Sequence, residues 1–352
     1  MAFITRQLFG EVEGREVYLF TLTNKNGVKA EILSYGGVIK SLFTPDRSGK
    51  SKDIVLGFDT LEGYRNHSSF FGALIGRYAN RIAGASFELN GVYTILEPNE
   101  GKNQLHGGRQ GFDKKVWDAA IIPAEYGDQL VLSYYSKDGE EGYPGNLETT
   151  VCYSLSEDNK LGIEYTAVSD KDTVINLTNH SYFNLAGHAS GDVLKQELQM
   201  NADHYTEIGE GSIPTGALLP VEGTPFDFRE SKTFGQNMQD AYPQLRMTDG
   251  FDHNFVINES AKLPNPFAFA LDPASGRTMT VATDKPGVQL YTGNFLSNKT
   301  VGKNGAVYCK HAGFCLETQF YPDSVHQPAF PTAVLKAYEK YHFTTCFIFG
   351  TQ

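Results

Sequence analysis

Glu317 is the sole charged residue between Ala312 and Pro322, inside the run Gly313-Phe314-Cys315-Leu316-Glu317-Thr318-Gln319-Phe320. A carboxylate among apolar neighbours is costly unless a partner satisfies it or it titrates. It therefore reads either as a buried structural acceptor or as a catalytic base. His180 poses the same question in Val174-Ile175-Asn176-Leu177-Thr178-Asn179-His180-Ser181-Tyr182. As a strand, this segment puts Ile175 and Leu177 on one face and Asn176, Thr178, His180 and Tyr182 on the other. The second face is polar but uncharged, offering neutral donors and acceptors where a solvated face would carry Lys and Glu. A carboxylate and an imidazole are what general acid–base catalysis uses; His180 reads equally as a satisfied histidine in a strand ladder.

Three further clusters have this character. Gly76-Arg77-Tyr78-Ala79-Asn80-Arg81-Ile82 sets two arginines and an asparagine in an apolar context, which also suits salt bridging at a core edge. Asn103-Gln104-Leu105-His106-Gly107-Gly108 places a histidine directly before two glycines, where backbone can come close to a ligand. Gly250-Phe251-Asp252-His253-Asn254-Phe255 sets three polar residues between aromatics, with His253 reading as structural. No HExxH metal spacing, no G-x-S-x-G nucleophile elbow and no glycine-rich phosphate loop is present. This inventory suits a neutral, hydroxyl-rich small molecule. Carboxylates, amides and Arg satisfy hydroxyl pairs, and Tyr and Phe cover an apolar ring face.

The elements that must position these residues alternate at period two, with almost no sustained 3.6-residue stripe. Strands are expected over Val28–Phe43, Leu130–Ser136, Leu147–Leu155, Leu161–Val168, Asp172–Phe183, Gly287–Phe295, Phe314–Phe320 and His342–Phe349, and short helices near Thr60–Tyr64 and Gln236–Tyr242. Turn signals such as Tyr35-Gly36-Gly37, Asp138-Gly139 and Tyr143-Pro144-Gly145 punctuate them. So many two-faced strands must bury one face against another sheet, so the expected fold is all-β, a large antiparallel β-sandwich. No fixed repeat and no long linker divides the chain, and residues 1–352 read as a single domain.

Composition narrows the partners. The 352 residues carry 30 Lys+Arg against 41 Asp+Glu, a net charge of −11, without the clustered basic residues that phosphate binding requires, so nucleic acid is not expected. The N-terminus lacks the pattern of a secretory signal and no apolar run approaches ~20 residues, so neither export nor a membrane is expected and the reading is cytoplasmic. Cys152, Cys309, Cys315 and Cys346 show no metal or CxxC spacing and read as buried free thiols, with a disulfide left open.

At these residues the chain resembles the aldose 1-epimerase (galactose mutarotase) family. The matching stretches are Gly76–Ile82, Asn103–Gly108 with Gly111–Lys114 and Trp117, Asp138–Asn146, Asn176–Asn184, Asp252–Phe255, Pro286–Phe295 and Gly313–Gln319, in family order from about residue 30 to residue 330. The resemblance implies a large antiparallel sandwich with a sugar cleft on one sheet. It implies Glu317 as general base and His180 as general acid, His106 as a helper at the ring oxygen, and Asn80, Arg81, Asp252 and Gln289 as sugar contacts. It also implies a small-molecule aldose as partner, no cofactor and no metal, in a monomer or homodimer. One departure is Leu335-Lys336-Ala337-Tyr338-Glu339, where the family often has a Pro-Gly-Glu turn, a change expected to touch only a distal hairpin.

Interconverting α and β anomers of galactose or glucose means removing the proton from the C1 hydroxyl while delivering one to the ring oxygen. From unperturbed values near ~4.3 and ~6.5, Glu317 is expected ionised and His180 held protonated by nearby negative charge. Two other classes share the inventory. A glycoside hydrolase would use Glu317 and Asp252 at ~5–5.5 Å or ~6.5–9.5 Å separation, and a sugar-binding module would use the same face without chemistry.

Overall fold

Leu147–Leu155 buries Leu147, Thr149, Val151, Tyr153 and Leu155 and turns the residues between them outward, the alternation expected of a strand with one face on a core. In the computed structural model, which describes residues 3–125, 127–238, 241–258 and 264–352, such strands form three principal sheets. The chain starts as a five-stranded meander of Phe3–Val12, Arg15–Thr23, Lys29–Leu33, Ile39–Pro45 and Ser51–Asp53. A nine-stranded antiparallel sheet follows, with Gln129–Ser136, Leu147–Leu155, Lys160–Ser169, Lys340–Thr351 and Arg277–Thr283 at its centre. The third sheet has five strands in the spatial order Pro214–Pro220, His204–Ile208, Asp252–Val256, Gly287–Tyr291 and Cys315–Gln319. This is the antiparallel β-sandwich that the alternation predicts. Among the described residues, no helix is long and apolar enough to cross a membrane.

One apolar core runs between the sheets, joining Leu147, Ile163 and Phe347 of the nine-stranded sheet to Val288, Leu290, Leu316 and Phe255 of the third. Burying Val288, Leu290 and Leu316 on that side fixes what the opposite face presents. Gln289 lies opposite both Asn254 and Glu317 in the ladder, and Tyr291 opposite Asp252. A one-residue slip would turn Glu317 into the core, so the register of Leu290 with Leu316 is what aims the carboxyl outward.

Three local expectations change. Val28–Phe43 is not one strand but a hairpin of Lys29–Leu33 with Ile39–Pro45, turned at Tyr35-Gly36-Gly37, where both glycines take positive φ. Asp172–Phe183 is not one strand; it forms Thr173–Val174 and Thr178–Asn179 with irregular backbone between and after them. The segment trades partners along its length: Ile175 donates to Ala333 O, Asn176 to Arg77 O, His180 to Ala73 O and Phe183 to Phe314 O. Each partner offers only a residue or two, so no continuous ladder forms, and both of its faces end up buried. The expected helix near Gln236–Tyr242 is displaced. Phe234–Met238 overlaps its start, Pro243–Thr248 follows it with Pro at the first turn, and residues 239–240 lie outside those described. The first helix, Leu61–Asn66, lies where expected, its Thr60 hydroxyl accepting the Gly63 N–H. All four cysteines are free, with Cys315 and Cys346 buried, Cys152 half-buried and Cys309 exposed rather than buried.

Candidate active site

Each polar residue singled out above sits at a place where the backbone is pinned. His180 donates its backbone N–H to Ala73 O and accepts one from Gly72. Its ring lies between Phe70 and Tyr182, with centroids at 5.8 and 5.0 Å, both stacked. The Cys315 thiol lies 3.5 Å from Nδ1, and Nε2 faces Glu317 Oε1 at 3.6 Å. Two stacked rings and a sulfur contact leave the imidazole one orientation, toward Glu317.

His106 adopts φ +53°, bonds its N–H to Asn80 O, and accepts the Asn80 N–H on Nδ1 at 3.1 Å. That acceptance settles the tautomer. Nδ1 holds the lone pair, so Nε2 carries the hydrogen and points a donor into the cavity. Gly107, at φ +83°, makes this geometry possible, because a Cβ there would lie 2.0 Å from Gly76 O. Gly107→Ala is expected to cost at least ~2 kcal/mol, from left-handed strain plus a backbone clash. Gly91→Ala, also at positive φ but in open space, should cost less; thermal denaturation of both variants separates crowding from strain.

Arg81 gives Nε and Nη2 to the two oxygens of Glu100 at 2.7 Å each, while Nη1 stands 4.0 Å from Asp252 Oδ2. Asp252 Oδ1 accepts from Gln289 Nε2 at 2.7 Å. These side chains line a cavity of about 200 Å³ walled by Phe70, Asn80, Arg81, His106, His180, Tyr182, Asp252, Tyr291 and Glu317. Its size is below the ~300–1,000 Å³ of drug-sized clefts, and it suits a single small ring. Six of the seven residues singled out face it together. Gln289 lies behind them, its amide given to Asp252. Glu100, Phe70, Tyr182 and Tyr291 were not singled out. Glu100 sits in the turn-like run Pro98-Asn99-Glu100-Gly101, and only its pairing with Arg81 marks it.

Burial sets the charge states. It pushes the Glu317 carboxyl well above the usual carboxylate range, with Asp252 adding to the rise and Arg81 opposing it. It pulls His180 down to about 4, and pulls His106 well below an ordinary histidine, with His180 and Arg81 adding to the fall. Burial therefore works against the expected carboxylate–imidazolium pair and favours the proton on the Glu317 carboxyl beside a neutral imidazole. Both arrangements hold one proton between them. The expectation failed because a free-solution pKa carries no term for desolvation.

His106, His180 and Glu317 bring ligand atoms within 4.8 Å of one another, close enough for a cation. Their chemistry does not fit one. His106 already gives its Nδ1 lone pair to the Asn80 N–H, and burial disfavours the ionised Glu317 carboxyl that a cation would need.

Comparison with known proteins gives a consistent picture. The model of a family described as aldose 1-epimerase matches residues 18–347. The galactose mutarotase of Homo sapiens is 45% identical over 352 residues, covering 99% of both chains. The aldose 1-epimerase of Escherichia coli (strain K12) is 37% identical over 319 residues, covering 91% of this chain and 90% of its own. Among solved structures, galactose 1-epimerase from Lactobacillus acidophilus superposes with a TM-score of 0.87 at 28% identity, covering 99% of this chain and 98% of that one.

Proposed function

The chain belongs to the aldose 1-epimerase family, and on that premise we propose that Glu317 and His180 are the base and acid with which it interconverts the α and β anomers of aldohexoses such as galactose and glucose. The observation that carries this reading is the 3.6 Å approach of Glu317 Oε1 to His180 Nε2, on the wall of a cavity sized for one sugar ring.

The pair holds one proton, so the sequence of events is short. Proton transfer from Glu317 to His180 gives the carboxylate and imidazolium that the reaction needs. Glu317 then takes the proton of the C1 hydroxyl while His180 protonates the ring oxygen, the C1–O5 bond breaks, and an open-chain aldehyde results. Rotation about C1–C2 presents the other face of the carbonyl. His180 now withdraws the proton from the C5 hydroxyl as that oxygen attacks C1, and Glu317 returns its proton to the carbonyl oxygen. The pair ends as carboxylate and imidazolium, and return of the proton from His180 to Glu317 restores the starting state. His106, a fixed N–H donor, stabilises negative charge developing on a sugar oxygen. Arg81, oriented by Glu100, and Asp252, oriented by Gln289, hold the remaining hydroxyls with charge-assisted hydrogen bonds worth roughly 1.5–3 kcal/mol each. We extend the reading to residues 1–352 acting as one domain, active as a monomer or homodimer.

Polarimetry of freshly dissolved α-D-galactose and α-D-glucose tests the reading. Wild-type protein is expected to speed equilibration of both far beyond buffer. Equilibration no faster than buffer sinks the enzymatic reading, and release of nitrophenol from a nitrophenyl glycoside at a comparable rate would favour hydrolysis.

A further inference from the structure

Lys285 is fully buried, directly before Pro286 and the strand Gly287–Tyr291, on the core side of the sheet that carries Glu317. Its Nζ donates to two backbone carbonyls, those of Leu177 and Thr318, the latter at 3.4 Å. The rings of Tyr165, Tyr341 and Phe343 stand 4.5, 5.9 and 5.9 Å from the ammonium. Its charge is offset only in part by its neighbour Asp284, and desolvation draws its pKa down to about 7. Placing an ammonium among rings and carbonyls without a directly paired carboxylate is expensive, and a methionine of similar length would pack there at less cost.

The two carbonyls belong to the two segments that bear the reacting pair. Leu177 lies three residues before His180, and Thr318 directly follows Glu317. At one end these segments are joined by Phe183 and Phe314, which exchange both backbone hydrogen bonds. At the other, the Asn176 side chain clasps Phe320 through its N–H and its carbonyl. Between those ends, where His180 and Glu317 face each other, Thr178–Asn179 pairs with Leu74–Ile75 and Cys315–Gln319 pairs with Gly287–Tyr291. The ammonium spans that gap. Tyr341 adds to the hold by accepting the Leu177 N–H at 3.2 Å.

We propose that Lys285 is a positioning residue that sets the spacing between His180 and Glu317 by tying the Leu177 carbonyl to the Thr318 carbonyl. The inference rests on Glu317 and His180 being the reacting pair. It explains a cation buried at a cost to folding, because the return is geometric: a displacement of about 1 Å between catalytic groups costs up to ~10²-fold in rate.

The test is Lys285→Met in the full chain, with anomer exchange of galactose followed by NMR over a range of concentrations and thermal denaturation run in parallel. A fall in kcat of about 10–100-fold is expected, with KM within about threefold of wild type, since Arg81 and Asn80 lie on another segment, and with Tm unchanged or higher. Lys285→Gln, which keeps two N–H donors without the charge, is expected to recover part of the rate. It also serves as the deciding variant should the methionine protein not fold. A kcat within twofold of wild type in the folded variant overturns the proposal. So does a loss of rate that only tracks a loss of folded protein, because that is a structural role. Failure of the underlying reading is separate: it would appear as wild-type rates in Glu317→Gln and His180→Asn.

Discussion

Glu317→Gln is expected to lower kcat for anomer exchange by about 10²–10⁴-fold, the range that a positioned general base contributes, while leaving the fold intact or firmer. The amide keeps the shape of the carboxyl but cannot accept the C1 hydroxyl proton or return it. Folding moves the other way because of the direction in which the pKa is shifted. With the carboxyl raised well above its usual range, the folded protein holds a proton that the unfolded chain has released. Stability contributed by this group is therefore constant below the unfolded pKa and falls as pH rises toward the folded one. The variant lacks that penalty. Its Tm should match wild type only below the unfolded carboxyl's pKa and exceed it above, with the gap growing as pH rises toward the folded pKa. Glu317 Oε2 is buried without a hydrogen-bond partner among the described residues, and an amide there is no worse placed than the acid. A variant that loses rate only because it unfolds, or that turns over like wild type, removes Glu317 from the role of base.

How much of this was readable before coordinates depended on whether the property was local. Leu147–Leu155 carries its alternation in its own residues, and the structure reproduces its bounds residue for residue. The hairpin of Phe3–Val12 with Arg15–Thr23 went unread because its outer strand lies at a sheet edge and exposes both faces, leaving no period to detect. Glu317 was conspicuous as a lone charge in an apolar run. His180 was visible as part of a polar face, although the strand supposed to carry it is a thread passing between several partners. The chemistry nevertheless survived that error. Side chains two apart still share a face in any extended backbone, whether or not a ladder holds it.

Properties arising between segments were not readable. The pairing of Arg81 with Glu100 joins residues 19 apart through a turn. The ammonium of Lys285 reaches carbonyls 108 and 33 residues away. Proton occupancy is the sharpest case: the residue types identify a base and an acid, but which of them holds the proton follows from how much water the fold removes around each. The tautomer of His106 is of the same kind, set by a single N–H from Asn80.

His180→Asn is the complementary prediction, and its pH dependence carries more information than its rate. A loss of about 10²–10⁴-fold in kcat/KM is expected, because asparagine keeps a donor near the ring oxygen but cannot deliver a proton. In wild type, the working state of the pair holds one proton. On the acid side, activity should fall only where the neutral imidazole gains a second proton, and burial has moved that event down to about 4. On the alkaline side, it should fall where Glu317 gives up its raised proton. Between these limbs the profile of kcat/KM should be flat, and the two limbs belong to the coupled pair rather than to either residue. The asparagine variant should lose the acid limb along with the rate. It should also gain stability relative to wild type in acid. A lowered histidine pKa lets the unfolded chain take up a proton first between about 6.5 and about 4, so wild-type stability declines as pH falls through that window. Measuring kcat/KM from about pH 4 to about pH 9 in both proteins decides the matter. An alkaline limb with its midpoint near ~6.5, the value of a solvated histidine, would mean that the free enzyme works with His180 already protonated, and the placing of the shared proton on Glu317 would then have to be given up.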